Sequence, residues 1–290
     1  MFSAVFRYPW LTGNHLSVDA VLSDYRRYDP LNDFREHSRE VTPWVGHWIG
    51  DAGRVAATVS WFQMNSDRDG VTLSPDRRDE FLRVGIRGGF DTRDSWRDPA
   101  RGWNNELLVM WYDGSVFDEP GQWPLIELDL RRYQPIAGPK NTLIIGNLVS
   151  WQDGQADVEI PRYLQYRMGG ANSIRGYDID ELGQELFGAN QWIFTLEYQR
   201  EVIPLREFRF GRWAVSAGLD AATFVDVGNA WSEPDDFNRD HSRTGFGVGL
   251  RFLIPAVNEL RTDIAIGEDG GVIFHLGVGD RLSAQRGRLR

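Results

Sequence analysis

The sequence lacks cysteine, has no long apolar run, and carries less basic than acidic charge. Without cysteine, the 290-residue chain forms neither a disulfide framework nor a cysteine metal site. No segment approaches the roughly 18 apolar residues of a membrane helix. A formal net charge of −10 argues against a nucleic-acid-binding surface, because phosphate contacts need basic patches.

The N-terminal residues MFSAVFRYPW also lack the features of an export signal. They have no basic segment, no apolar core and no small-residue cleavage site, so they are not a signal peptide. We therefore expect either a mature chain or a gene that continues upstream of Met1.

Aromatic residues, by contrast, are abundant: 12 Trp, 16 Phe and 9 Tyr. Two aromatic girdles at the interfaces of a bilayer would use such a supply. A soluble, Trp-rich β-sandwich would use it equally well. A mean hydropathy of −0.42 does not decide between them, because only alternate residues of a membrane strand face lipid.

Strand-length alternation of apolar and polar residues recurs along nearly the whole chain. In residues 125–133, aliphatic side chains alternate with ionisable ones: Ile126, Leu128 and Leu130 against Glu127, Asp129 and Arg131. In a soluble sandwich the ionisable row would face water. In a barrel it would line a wet lumen while the aliphatic row faces lipid.

The alternation predicts an all-β, antiparallel transmembrane barrel with about thirteen strands in one domain over residues 1–290. The strands are expected to start near Phe2, His15, Thr42, Arg54, Glu80, Glu106, Pro124, Thr142, Gln191, Ala214, Thr244, Leu260 and Val272. Short turns at 10–14, 137–141 and 255–259 are predicted at one end of the barrel. Longer loops at 29–40, 66–79, 91–105, 152–189 and 232–243 are predicted at the other end.

The longest predicted loop, at about 152–189, contains the string RMGGANSIRGYDIDELGQ. It resembles the GG…S-[VI]-R-G-[YF] motif of BamA/TamA family barrels, which lies in a loop that folds back into the lumen. The matching residues are Gly169, Gly170, Ser173, Ile174, Arg175, Gly176 and Tyr177.

The resemblance implies that the loop arginine is held by acids on the next two strands. This sequence supplies Glu197 in FTLEYQ and Asp226 in TFVDVGNAW, with Phe224 two residues before Asp226. Alternation independently places both carboxylates on the polar face of their strands. The rigid guanidinium fork of Arg175 can engage two carboxylates at once. The alternative from spacing alone is an exposed arginine beside two solvated acids.

A second segment, GGFDTRDSWRDPARGW, resembles the family's D-[TS]-R-D…P-x-R-G segment at a strand end, through Asp91, Arg93 and Asp94. The matches run through most of the chain. They imply the C-terminal part of a barrel of about sixteen strands. POTRA domains are absent from the sequence, and a tail, DRLSAQRGRLR, follows the last strand where the family usually ends on an aromatic residue.

The resemblance implies a barrel in the Gram-negative outer membrane that inserts outer-membrane proteins or translocates polypeptides. Its expected partners are outer-membrane lipids, client polypeptides and accessory lipoproteins or periplasmic domains. No cofactor, metal or nucleic acid is expected, and no enzyme, because motifs such as G-x-S-x-G, the P-loop and H-E-x-x-H do not occur. The alternatives are a passive membrane anchor or small-solute pore belonging to a larger protein, and a soluble β-rich binding module.

Overall fold

The computed structural model describes residues 2–12, 16–29, 33–96, 98–178, 181–210, 213–254 and 258–279. The predicted turns at 10–14 and 255–259 lie partly outside these residues, and the tail from residue 280 lies entirely outside them. Within these described residues, thirteen strands form the wall: β1 (Phe2–Thr12), β2 (Leu16–Asp29), β3 (Phe34–Ile49), β4 (Gly53–Ser66), β5 (Arg78–Asp91), β6 (Gly102–Asp113), β7 (Gln122–Pro135), β8 (Asn141–Gln152), β11 (Asn190–Phe210), β12 (Trp213–Trp231), β13 (Arg243–Ile254), β14 (Asn258–Gly267) and β15 (Val272–Val278).

The segment between β8 and β11, residues 153–189, is named the long loop. It contains a two-strand ladder of β9 (Tyr166–Arg167) and β10 (Phe187–Gly188). Short 3-10 helices occur at Ser115–Phe117, Arg162–Leu164, Glu181–Gln184 and Pro234–Asp236. No described helix is long and apolar enough to cross a membrane.

Each wall strand pairs antiparallel with its neighbour, in one sheet that runs from β1 to β15 and omits only β9 and β10. The prediction of an all-β, antiparallel wall with about thirteen strands is confirmed. Sequential hairpins of this kind suit a chain that has strong alternation and turn residues between its strands.

Burial in the wall is the reverse of that in a water-soluble protein. The ionisable residues Glu127, Asp129 and Arg131 of β7 are buried on the inner face. The outer face exposes rows of large apolar side chains, such as Val59 on β4 and Phe274 on β15. A continuous apolar outer surface of this extent is what a lipid-facing barrel wall requires.

The predicted loop at 29–40 is wrong, because β2 continues to Asp29 and β3 already begins at Phe34. The two strands pair throughout this stretch. Polar residues occupy both faces here, so alternation gives no signal. Cross-strand ion pairs form instead: Asp24 contacts His37 at 3.0 Å and Arg39 at 3.1 Å.

The predicted separation of short turns and long loops holds only in part: four residues join β2 to β3 and β14 to β15 at the same end as the long loop, and one long segment lies at the opposite end. The connections that follow β1, β3, β5, β7, β11 and β13 lie at one end of the wall, named the short-turn end; the others lie at the long-loop end. The ten-residue segment 92–101 joins β5 to β6 and so lies at the short-turn end. The side chain of Asp94 closes this segment by accepting hydrogen bonds from the amides of Ala100 at 3.0 Å and Arg101 at 3.1 Å.

A hydrophobic core fills the inside of the wall toward the long-loop end. Its wall residues come from β3 to β7, and its loop residues come from the long loop and the β4–β5 connection: Phe34, Phe62, Met64, Phe81, Tyr112 and Trp123 with Val71, Ile160 and Leu164. The Trp123 ring stacks on Tyr112 with centroids 4.5 Å apart and meets Phe81 edge-on at 5.1 Å. Aromatic packing of this type is dry and well ordered.

The apolar outer face of the wall predicts that Val59→Arg destabilises the folded barrel. Val59 lies mid-strand on the outer face, where a charged side chain at the bilayer midplane costs about 2–4 kcal/mol. Val116→Arg is the matched control, because Val116 is equally exposed but lies in a connection outside the wall; its effect should stay within about 0.5 kcal/mol. Urea unfolding in lipid vesicles measures both, and equal effects would contradict the lipid-facing assignment.

Candidate functional site

The tip of the long loop lies inside the wall. Ile174 and Arg175 are completely buried, although neither belongs to a strand. Ile174 packs with Leu148 of β8 and Ile193 of β11. The loop tip therefore takes part in the core of the molecule instead of forming a surface excursion.

Arg175 engages the carboxylate of Asp226 on β12 through three donors. Its Nε donates to Oδ2 at 2.7 Å, Nη2 donates to Oδ1 at 3.0 Å, and the backbone amide donates to Oδ2 at 3.2 Å. The Thr195 hydroxyl on β11 donates to Oδ1 of Asp226 at 2.8 Å. Thr195 and Asp226 are direct cross-strand partners, so the β11–β12 register sets this geometry. A bidentate fork with additional donors fixes an arginine in a single orientation.

A second arginine shares the remaining carboxylates. Nη1 of Arg175 donates to Glu197 Oε2 at 2.9 Å and to Asp263 Oδ2 at 3.4 Å. Arg251 donates to both oxygens of Glu197, at 2.9 and 2.8 Å, and to Asp263 Oδ1 at 2.7 Å. These five residues, Arg175, Arg251, Glu197, Asp226 and Asp263, are named the arginine lock.

The charges of the lock are compatible with burial because they are shared. Burial alone lowers the pKa of Arg175, but the carboxylates of Asp226 and Glu197 outweigh it and raise that pKa above its ordinary value. The guanidinium therefore stays charged. It also lies over the ring of Phe224, with its carbon 3.2 Å from the ring centroid, in a cation–π contact.

The loop tip fits against β13 because the inner face of that strand has glycines. Gly245, Gly247 and Gly249 are cross-strand partners of Asp226, Phe224 and Asp263, respectively. A Cβ on Gly245 would lie 1.7 Å from the carbonyl oxygen of Arg175. Gly245 therefore forms the seat of the loop tip.

The residues after Arg175 contact the last strands. The backbone amide of Gly176 donates to Nε2 of His275 on β15 at 3.0 Å. The Tyr177 hydroxyl donates to the carbonyl of Thr244 at 3.2 Å and accepts from the amide of Glu268 at 2.8 Å. Burial raises the pKa of Tyr177, so this hydroxyl stays protonated.

The strand-end motif does not join the lock. Arg93, in the segment 92–101, forms a two-pronged ion pair with Asp91 at the end of β5, at 2.9 and 2.7 Å. This segment and the lock border a cavity of about 160 Å³, whose lining includes Arg93, Trp96, Thr195, Glu197 and Arg261. The segment 92–101 and the lock therefore border the same cavity.

Sequence reasoning missed Arg251 and Asp263, which complete the lock. Both lie on the polar face of their strands, so alternation alone marks them as facing inward. It does not indicate that Arg251 reaches Glu197, which lies two strands away, or that Asp263 accepts from both arginines. Among the described residues, no group of three or more His, Asp or Glu side chains is arranged to hold a metal ion.

An antiparallel wall with an apolar outer face, a polar inner face and an inward-folded loop defines an outer-membrane type β-barrel. A family model described as the Omp85 superfamily domain matches residues 1–282, and the chain belongs to this superfamily. The resemblance to BamA/TamA barrels predicted from the sequence is confirmed.

Solved structures show the same fold. BamA from Haemophilus ducreyi lacking POTRA domains 1–3 matches with a TM-score of 0.70 and 12% identity, over 94% of this chain and 60% of that one. CdiB from Acinetobacter baumannii matches with a TM-score of 0.54 and 14% identity, over 91% of this chain and 46% of that one. The chain thus spans less than two thirds of either structure. No curated protein matches the chain at a significant level.

The lock predicts that Asp226→Asn lowers the free energy of unfolding by about 3–5 kcal/mol, because it breaks a buried ion pair from one side. The control is Glu207→Gln, which removes the exposed pair with Arg209 and should cost less than about 1 kcal/mol. Urea unfolding followed by tryptophan fluorescence measures both. Equal stability of the two variants would show that the lock adds nothing to the fold.

The glycine seat predicts that Gly245→Ala displaces the loop tip. Overpacking costs about 1–3 kcal/mol, so maleimide labelling of a Ser173→Cys reporter, buried in the native tip, should rise roughly 5–150-fold. Gly88→Ala is the control, since its Cβ would meet nothing closer than 3.8 Å. Unchanged labelling in Gly245→Ala would refute the seat.

Proposed function

We propose that this barrel inserts other barrel proteins into the outer membrane or passes polypeptides across it, without chemical catalysis. The observation that carries this proposal is the buried arginine lock, which holds a loop in the lumen by five charged groups. A loop serving only to fill space would not need charges, because apolar packing of similar volume is at least as stable. Buried ionic contacts are better suited to specifying one defined loop position.

In this proposal, the lock holds the loop in one state and its release gives another. Arg175, Glu197 and Asp226 hold the tip, Phe224 supports the guanidinium, and the segment Gly169–Tyr177 supplies the shape of the tip. The loop therefore has two stable positions, because the Arg175 guanidinium is either paired with carboxylates inside the barrel or hydrated outside it. The working parts are the lumen, the loop and the seam between the first and last strands.

The hydrophobic core on the inner face argues against a passive small-solute pore. Phe81, Tyr112 and Trp123 pack against loop residues where a solute pathway would need water-lined space. A passive anchor remains the alternative, and it predicts no effect of the lock on other barrel proteins. The apolar outer face suits outer-membrane lipids as partners, and client polypeptides and accessory proteins follow from the proposed activity.

The test is depletion of the protein in its own cells, with complementation by variants. We expect depletion to reduce folded, heat-modifiable barrel proteins or surface-exported polypeptides, and Asp226→Arg not to restore them. Arg175→Asp combined with Asp226→Arg should restore part of the activity by re-forming a pair. Glu207→Gln serves as the control that complements fully.

Two outcomes would refute the proposal. One is unaltered barrel assembly and export after depletion. The other is full complementation by both single charge reversals at membrane levels equal to the unmodified protein. Entry of small dyes into cells, measured alongside, would rise on expression if the barrel were instead an open pore.

A further inference from the structure

The long loop is attached to the wall at a second point. This point lies near the first strand in the order of the sheet, whereas the lock lies near the last strands. Arg167 on β9 forms an ion pair with Asp29 at the end of β2, with Nη2 and Oδ2 2.7 Å apart. The two side chains are only 5% and 1% exposed. The Arg167 guanidinium also lies 5.6 Å from the centroid of the Phe187 ring on β10.

The two attachment points reach the two ends of the sheet. Asp29 belongs to β2, next to the first strand. The loop tip reaches β14 and β15, where Asn172 accepts a hydrogen bond from Arg261 at 3.0 Å and Gly176 donates to His275 at 3.0 Å. The short segment from Arg167 to Gly176 therefore contacts both the β1–β2 side and the β14–β15 side of the wall.

Two glycines turn the chain between the attachment points. Gly169 and Gly170 have φ angles of 109° and 95°, in the region that favours glycine. The turn is closed by its own hydrogen bonds: Gly170 N donates to Tyr177 O at 3.1 Å, and Ser173 N donates to Gly170 O at 3.1 Å. Because the turn is closed by its own hydrogen bonds, movement at one attachment point is transmitted to the other. A turn without such bonds would bend instead.

Both attachments use a buried arginine on a carboxylate. Removing one partner of such a buried pair is strongly destabilising, so neither attachment is released without a large cost in free energy. By contrast, the loop's contact between Glu185 and Arg243, at 3.0 Å, is exposed and easily exchanged for water.

We propose that residues 167–176 form a strap that holds the two edge regions of the sheet at a fixed separation. Arg167 is the positioning residue on the β2 side, and Arg175 with Gly176 holds the β14–β15 side. Moving β2 away from β14 and β15 then requires release of one attachment. The idea that a client polypeptide uses this separation rests on the proposed function, but the strap itself does not.

The absence of cysteine allows a direct measurement. Spin labels are placed at Leu22→Cys on β2 and Leu276→Cys on β15, both exposed on the outer face. Pulsed electron paramagnetic resonance then gives the distance distribution between them in lipid. We expect Arg167→Gln and Asp29→Asn each to broaden it and shift it to longer distances. Glu185→Gln is the control expected to leave it unchanged.

Exchange of the charges, Arg167→Asp with Asp29→Arg, is expected to restore the narrow distribution, which a general loss of packing would not do. An unchanged distribution in either single variant, shown to be folded by heat-modifiable migration, would overturn the strap. So would equal broadening in Glu185→Gln. If the distances respond while barrel assembly in depleted cells does not, the proposed function fails and the strap stands.

Discussion

A charge removed from bulk water must be paired, and the architecture of this barrel depends on how that requirement is met at Arg175. The guanidinium is completely buried, so its position is decided by the carboxylates around it. Those carboxylates come from β11, β12 and β14, and Arg251 of β13 balances them. One side chain therefore ties the loop to the last third of the wall.

The interior of the molecule is built from the wall and this loop together. Many apolar side chains of the wall face outward to lipid. Toward the long-loop end, inward-facing apolar residues of β3 to β7 pack against the loop, and elsewhere the loop packs on β8 and β11 and pairs its charges with those of the wall. Gly245 on β13 leaves room for the backbone of the loop tip, which lies directly on that strand.

The sequence predicted the wall better than it predicted the contacts across it. Alternation is a local property, so it assigned Glu197 and Asp226 to the inner face from their own strands alone. Their connection to Arg175 came from family resemblance. Arg251 and Asp263 were missed, because which inward side chains meet depends on register and on the path of the loop. The Arg167–Asp29 pair carries no local signal at all.

By itself, then, the sequence determined which residues face lipid, how many strands form the wall, and that a glycine-flanked arginine lies in the longest loop. Only the tertiary structure decided that β2 and β3 extend through the polar stretch around residue 34, and that segment 92–101 lies at the short-turn end. It also decided which charges share a site. The physical reason is the distance along the chain over which each effect operates. Side-chain alternation depends on neighbouring residues of one strand, whereas a buried ion pair depends on which charged side chains the folded sheet places within a few ångströms of each other.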